Sequence, residues 1–209
     1  AALWLWAVIA QATGMSGVLF ASVAASLPIL VTGGIHMDGY LDTVDALASH
    51  QTREKKLEIM KDPSCGAFAV IYSGVYLLAY AGFACEVYLA GEILLLCPLF
   101  VLSRALSGLC AVNLPNARKA GMLCAFTSLA RRRTATAALA LTGFAAAAGM
   151  ICFSPAAGGT AAVFAVLSAL VYRRFAMAQF GGVTGDTSGF FLQLCELCGL
   201  VGAWVGGLL

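Results

Sequence analysis

The chain has 209 residues, 61% of them hydrophobic and 11% charged, with a net charge of +2 and a mean hydropathy of +0.92. Soluble domains run about 45–50% apolar and about 25% charged, so these figures exclude a soluble globule and describe a single integral-membrane domain over residues 1–209. The near-neutral balance also excludes nucleic acid as a partner, because no basic excess exists to neutralise a phosphate backbone.

A spanning helix needs about 20 predominantly apolar residues. Runs of that kind are predicted at 1–13, 16–33, 66–85, 93–113, 134–153, 157–178 and 189–209. The predicted fold class is therefore all-α, a polytopic transmembrane bundle of about 6–7 spans. The first run is already under way at Ala1, with no initiating Met. The expectation is that the natural protein extends further at its N-terminus. No basic n-region or cleavage site marks a secretory signal. Gly14 and Gly17 predict a turn between the first two runs, which would otherwise form one overlong helix.

The second run ends in Thr-Gly-Gly-Ile-His-Met-Asp-Gly-Tyr-Leu-Asp-Thr-Val-Asp, residues 32–45. Asp38, Asp42 and Asp45 recur at i, i+4 and i+7, which places them on one face of a helix. Three like charges there repel unless something cationic binds between them. Clustered carboxylate oxygens suit Mg²⁺, which takes a few carboxylates and completes its shell with water and substrate phosphates. His36 is a candidate general base, since imidazole titrates near physiological pH; the alternative is a structural hydrogen bond. Imidazole is a poor Mg²⁺ ligand, so His36 is not counted in the metal set.

Residues 52–62 predict an amphipathic helix whose carboxylates at Glu54, Glu58 and Asp62 are relieved by Lys55, Lys56 and Lys61. It reads either as a solvated surface helix or as one whose basic residues meet anionic groups. Arg104 falls inside the 93–113 run, where a lone charge costs at least about 2.5–3.5 kcal/mol. It requires an anionic partner, either a carboxylate or a substrate phosphate. The alanine-rich tract 135–148 suits close helix packing in lipid. The second glycine motif, Gly181-Gly182-Val183-Thr184-Gly185-Asp186-Thr187-Ser188-Gly189, puts hydroxyls and N–H groups at a helix start, an arrangement suited to phosphate. Asp186 is placed to complete a metal site with the first motif. Glu196 reads either as a metal ligand or as the partner of Arg104. Cys195 and Cys198 form a lone C-x-x-C without a second pair, and the other cysteines read as small apolar residues.

Segments 35–65, 114–133 and 173–188 hold every Lys and Arg except Arg104, whereas 86–92 and 154–159 hold none. Basic loops stay cytoplasmic, so both glycine–aspartate motifs are predicted on that side.

Taken together, TGGIHMDGYLDTVD at 32–45, the REKKLEIMKD that follows with Gly66, the Ser103-Arg104 pair and GGVTGDTSG at 181–189 resemble the cobalamin synthases. These are the membrane-bound adenosylcobinamide-GDP ribazoletransferases of bacterial vitamin B12 assembly. The similarity runs in order over essentially the whole chain, with departures at Ala46, where the family commonly has glycine, and at Gln193, where it often has an acid. The resemblance implies transfer of adenosylcobinamide phosphate from GMP to a ribose hydroxyl of α-ribazole or its 5′-phosphate, giving adenosylcobalamin or its 5′-phosphate. It implies Asp38, Asp42, Asp45 and Asp186 as Mg²⁺ ligands, one of them serving as base, with Glu196 as a further donor. Arg104, Lys61 and Thr184 are then candidates for phosphate contacts, with Gly34 and Gly185 allowing close backbone approach. It also implies the bacterial inner membrane, with motifs facing the cytoplasm, and allows a homo-oligomer or association with other cobalamin-assembly enzymes.

Two rival readings account for less of the sequence. A CDP-alcohol phosphotransferase would show D-x-x-D-G followed by alanine-arginine and a later pair of aspartates four residues apart, which this chain lacks. A transporter would use Arg104 and Glu196 along an ion path with helices broken at Gly33–Gly34 and Gly181–Gly182. It predicts inverted repeats and mid-membrane motifs, and the sequence shows neither.

Overall fold

The computed structural model describes residues 2–118 and 121–209. Ala1, Lys119 and Ala120 lie outside it, so one basic residue of the 114–133 loop is not placed. Ten α-helices follow in order: α1 Ala2–Thr13, α2 Gly17–Val31, α3 Ile35–Ala48, α4 Arg53–Ile59, α5 Ala67–Leu89, α6 Leu96–Asn113, α7 Met122–Leu129, α8 Arg132–Phe153, α9 Pro155–Phe180 and α10 Gly185–Gly207. Among the described residues the strand-like pairing is one isolated parallel bridge between Asn116 and Val183.

Among the described residues five helices are long and apolar enough to cross a membrane: α5, α6 with the short 3-10 turn before it, α8, α9 and α10. The sequence count of about 6–7 spans comes down to five, or six if α2 and α3 are taken as one broken span. The difference lies at the beginning of the described chain. α1 is described from Ala2 over 12 residues, and α2 has 15, short of the roughly 20 a span requires. The predicted span at 16–33 stops early because Pro28 sits inside α2 and two glycines follow it. Gly33 and Gly34 adopt φ of +63° and +81°, left-handed values that other residues resist. The chain therefore turns through 93° from α2 into α3, which lies across one end of the bundle outside the five long helices.

Aromatic packing seats α3 there. Tyr40 stacks on Phe190 of α10 at 5.5 Å, tilts against Tyr76 of α5 at 5.3 Å, and donates its hydroxyl to the Tyr72 carbonyl at 3.3 Å. Each such ring pair adds about 0.5–1.5 kcal/mol beyond its buried area. A closer approach comes from glycine. A Cβ on Gly39 would stand 2.7 Å from the carbonyl oxygen of Asp186, and one on Gly189 would stand 2.9 Å from that of His36. Only hydrogen side chains at these two positions let α3 and the first turns of α10 pack backbone to backbone.

The predicted 52–62 helix is the short α4, capped by the Thr52 hydroxyl accepting from the Lys55 N–H. It does not float in solvent. Lys56 is buried and donates to Gln179 Oε1 at 2.6 Å, and Arg53 Nε donates to the Ala178 carbonyl at 3.1 Å. These bonds fasten α4 to the last turn of α9. Ala46, the position at which the family commonly has glycine, is fully buried with Met60 and Phe180 beneath the same helix.

Candidate functional site

The first residues to place are those of the loops that face α3. Ala117 N–H donates to the Val183 carbonyl and Val183 N–H to the Pro115 carbonyl, both at 2.9 Å. This ties the α6–α7 loop to the α9–α10 loop, so the two glycine–aspartate motifs and the 114–118 segment share one end of the bundle. α10 then begins with a reciprocal cap. Thr187 N–H donates to Thr184 Oγ1 at 3.1 Å while Thr187 Oγ1 accepts from Thr184 N–H at 2.9 Å. The cap fixes the first turn that carries Asp186.

Between these elements lies a cleft of about 340 Å³. His36 and Asp38 reach it from α3, Asn116 and Arg118 from the α6–α7 loop, and Thr184, Gly185, Asp186 and Ser188 from the start of α10. Leu123 and Phe126 of α7 close one side. A second recess of about 460 Å³ lies on the far face of α3, lined by apolar and aromatic side chains with His50, and has no convergent charge.

Asp42 is half-buried one turn beyond Asp38. Burial pushes its carboxyl up to about 6, the charges of Asp38 and Asp186 push the same way, Arg118 opposes them, and Asp45 adds a smaller push. Asp38, Asp42 and Asp186 thus form a common negative field. Burial, and then the charge of Arg104, hold His36 below its ordinary value, so at neutral pH the imidazole is an uncharged proton acceptor.

The five carboxylates of the expected ligand set divide in two. Asp45 turns away from the cleft and accepts from Gly66 N–H at 2.5 Å and Ala69 N–H at 2.9 Å. It caps α5 from another helix and does not line the cleft. Glu196 is 2% exposed, bonds Arg104, and accepts from the Ser103 hydroxyl at 3.2 Å. The open choice for Glu196 and Arg104 therefore resolves as a pair within the bundle, with the guanidinium also over the Phe100 ring at 5.0 Å. Asp38, Asp42 and Asp186 remain together.

The phosphate candidates divide as well. Thr184 is 3% exposed and its hydroxyl is spent on the cap, so it offers the cleft wall but not a free donor. Lys61 is exposed beyond α4 and Gly34 lies in the α2–α3 turn, and neither lines the cleft; Gly185 does. Arg118 was read from sequence only as one basic loop residue. It donates through Nη1 to Asp186 Oδ2 at 2.8 Å and through Nη2 to the Leu57 carbonyl at 3.4 Å. Nothing in its local sequence signals this, because both partners are more than sixty residues away.

The donor chemistry of Asp38, Asp42 and Asp186 fits a hard divalent cation. Burial and, after it, the charges of Asp38 and Asp186 raise Asp42, and a bound cation would offset the repulsive part. Among the described residues no group of three or more His, Cys, Asp or Glu side chains is placed to hold a metal ion. Mg²⁺ does not need one, since it binds through one or two carboxylates and keeps several waters.

Comparison with known proteins adds the following. The family model described as cobalamin-5-phosphate synthase matches residues 1–204. An adenosylcobinamide-GDP ribazoletransferase of Lachnoclostridium phytofermentans is 42% identical over 183 residues, covering 88% of this chain and 70% of that protein. Relatives of the same name from Pseudomonas fluorescens strain SBW25 and Desulfitobacterium hafniense are 33% and 32% identical, covering 95% and 88% of this chain and 81% and 73% of theirs. No solved structure matches the chain.

Proposed function

The chain belongs to the cobalamin-5-phosphate synthase family, and on that footing we propose that it joins adenosylcobinamide-GDP to α-ribazole or α-ribazole 5′-phosphate, releasing GMP. The observation that carries the reading is the convergence of Asp38 and Asp186 at one cleft, brought there by the Gly39 and Gly189 contacts, with Asp42 near enough to feel both charges. A ribose hydroxyl of the ribazole attacks the cobinamide-side phosphorus of the diphosphate. A P–O bond to it forms, the P–O bond to GMP breaks, and the bond electrons leave with the GMP phosphate.

The hydroxyl proton needs an acceptor within the cleft. His36 lines it and is held neutral, and Asp38 lines it as well, so either can take the proton. Asp38, Asp42 and Asp186 would hold Mg²⁺, which when bound supplies charge neutralisation at the diphosphate. The first turn of α10 offers backbone N–H groups and the positive end of the helix dipole to an anion. The apolar helices place this site on an integral-membrane protein; the basic loops at the same end support an inner-membrane location with the cleft toward the cytoplasm. A homo-oligomer, or docking of another cobalamin-assembly enzyme, would add to this arrangement without changing it.

The test is to incubate the protein in lipid vesicles with adenosylcobinamide-GDP, α-ribazole and Mg²⁺ and to measure GMP. Stoichiometric GMP and a ribazole-containing corrinoid are expected. A transporter would instead move labelled solute into the vesicles with no nucleotide released.

A further inference from the structure

We propose that Arg118 is the residue that receives the leaving GMP phosphate, exchanging part of its contact with Asp186 for the substrate. The assignment rests on the transferase reading above and adds a cationic side chain to it. An anionic diphosphate in this cleft faces Asp38 and Asp186, and among the described lining residues Arg118 is the cationic side chain. The other arginine and lysine candidates are elsewhere. Arg104 is committed to Glu196, and Lys61 lies outside the cleft.

The guanidinium is also built for exchange rather than for a closed structural pair. One nitrogen bonds Asp186 and another makes a long contact to Leu57, while Nε is buried with no hydrogen-bond partner among the described residues. A buried donor without a partner is costly, so the present seating of the guanidinium is not a fully satisfied structural pair. The planar fork matches phosphate in two-point contact, which an ammonium does not. When the P–O bond to GMP breaks, negative charge grows on the leaving phosphate, and a positioned guanidinium stabilises that charge more than the ground state.

The experiment compares wild type, Arg118→Lys, Arg118→Gln and, as a control, Arg133→Gln, whose exposed side chain lies outside the cleft. Three readouts are needed: GMP release from adenosylcobinamide-GDP, inhibition by added GMP, and thermal unfolding in the same detergent. Arg118→Gln is expected to lose about 10²–10³-fold in kcat/KM, the usual cost of one such donor, and to weaken GMP inhibition about tenfold. Arg118→Lys should recover only part of both, with unfolding close to wild type. Arg133→Gln should match wild type throughout. If the wild type is active and Arg118→Lys equals it in kcat/KM and in GMP inhibition, the assignment is overturned while the reaction stands. Loss of activity in the variants with unchanged GMP inhibition also overturns it, since that pattern marks a purely structural arginine. If the wild type releases no GMP, the transferase reading falls and takes this assignment with it. Should Arg118→Gln fail to fold, Arg118→Lys decides the matter.

Discussion

Gly39 and Asp186 are in backbone contact: a β-carbon on the glycine would stand 2.7 Å from the aspartate's carbonyl oxygen. The contact joins residues 147 positions apart and sets how near the two acidic motifs can come. Gly39→Ala therefore pushes α3 from α10. Overpacking of this kind costs about 1–3 kcal/mol of stability, and a displacement of about 1 Å between reacting groups can cost about 10²-fold in rate. GMP release is expected to drop far more than thermal stability. Equal activity in the alanine variant would show that the close approach is not needed for chemistry.

Asp38 and Asp45 lie on the same helical face but are predicted to fail differently. Asp38→Asn should keep the fold and abolish GMP release, because Asp38 lines the cleft. Asp45→Ala removes the acceptor for two N–H groups of α5, a loss of about 0.5–2 kcal/mol by analogy with other caps. Its unfolding temperature should fall, while the folded fraction retains turnover. Wild-type rates in Asp38→Asn would dismiss the acidic cluster as the catalytic centre.

Asp42 gives the activity an acid limb. Its carboxyl is pushed up to about 6 from an ordinary value of 3.8, so below pH 6 it is protonated and no longer available to a cation. Rates should fall as pH drops through that value, and rising Mg²⁺ should move the limb to lower pH by competing with the proton. Stability carries the opposite sign. A raised carboxyl costs the fold nothing below pH 3.8, and its cost grows until it is complete above about 6. Without Mg²⁺, Asp42→Asn should therefore melt higher than wild type at pH 8 and match it near pH 4. A pH-independent difference would remove the electrostatic explanation.

Arg104 and Glu196 should behave as a pair. Glu196→Gln leaves the guanidinium of Arg104 beside Ser103 without its counter-charge. Breaking a fully buried pair costs about 3–5 kcal/mol; with Arg104 37% exposed, about 1–3 kcal/mol is the appropriate expectation once solvent screening is allowed for. Replacing both by leucine should recover much of the loss. A double-mutant cycle on unfolding measures the coupling, and a value near zero would show that the two side chains act independently.

How much of this was legible depends on the range of the interactions. The turn at Gly14, the long helices after residue 66 and the shared end of the two motifs follow from hydropathy, turn residues and loop charge, all local signals. The run at 16–33 forms α2, Gly17–Val31, and it counts as a sixth span only together with α3 beyond the break at Gly33–Gly34. Arg118 was invisible as a site residue because its partners, Leu57 and Asp186, come from two other elements.

By itself the sequence determined that the chain lives in lipid and which residues are too polar to face it, since each apolar run must bury its backbone in its own helix. It also determined which family the motifs belong to. Only the tertiary structure decided how carboxylates of one type divide their work. Asp38 and Asp186 were left to a shared cleft with Asp42 beside them, Asp45 was spent on a helix end, and Glu196 on an arginine. The physical reason is that a carboxylate's role is set by the donors and charges packed around it, and in this bundle those arrive from distant helices.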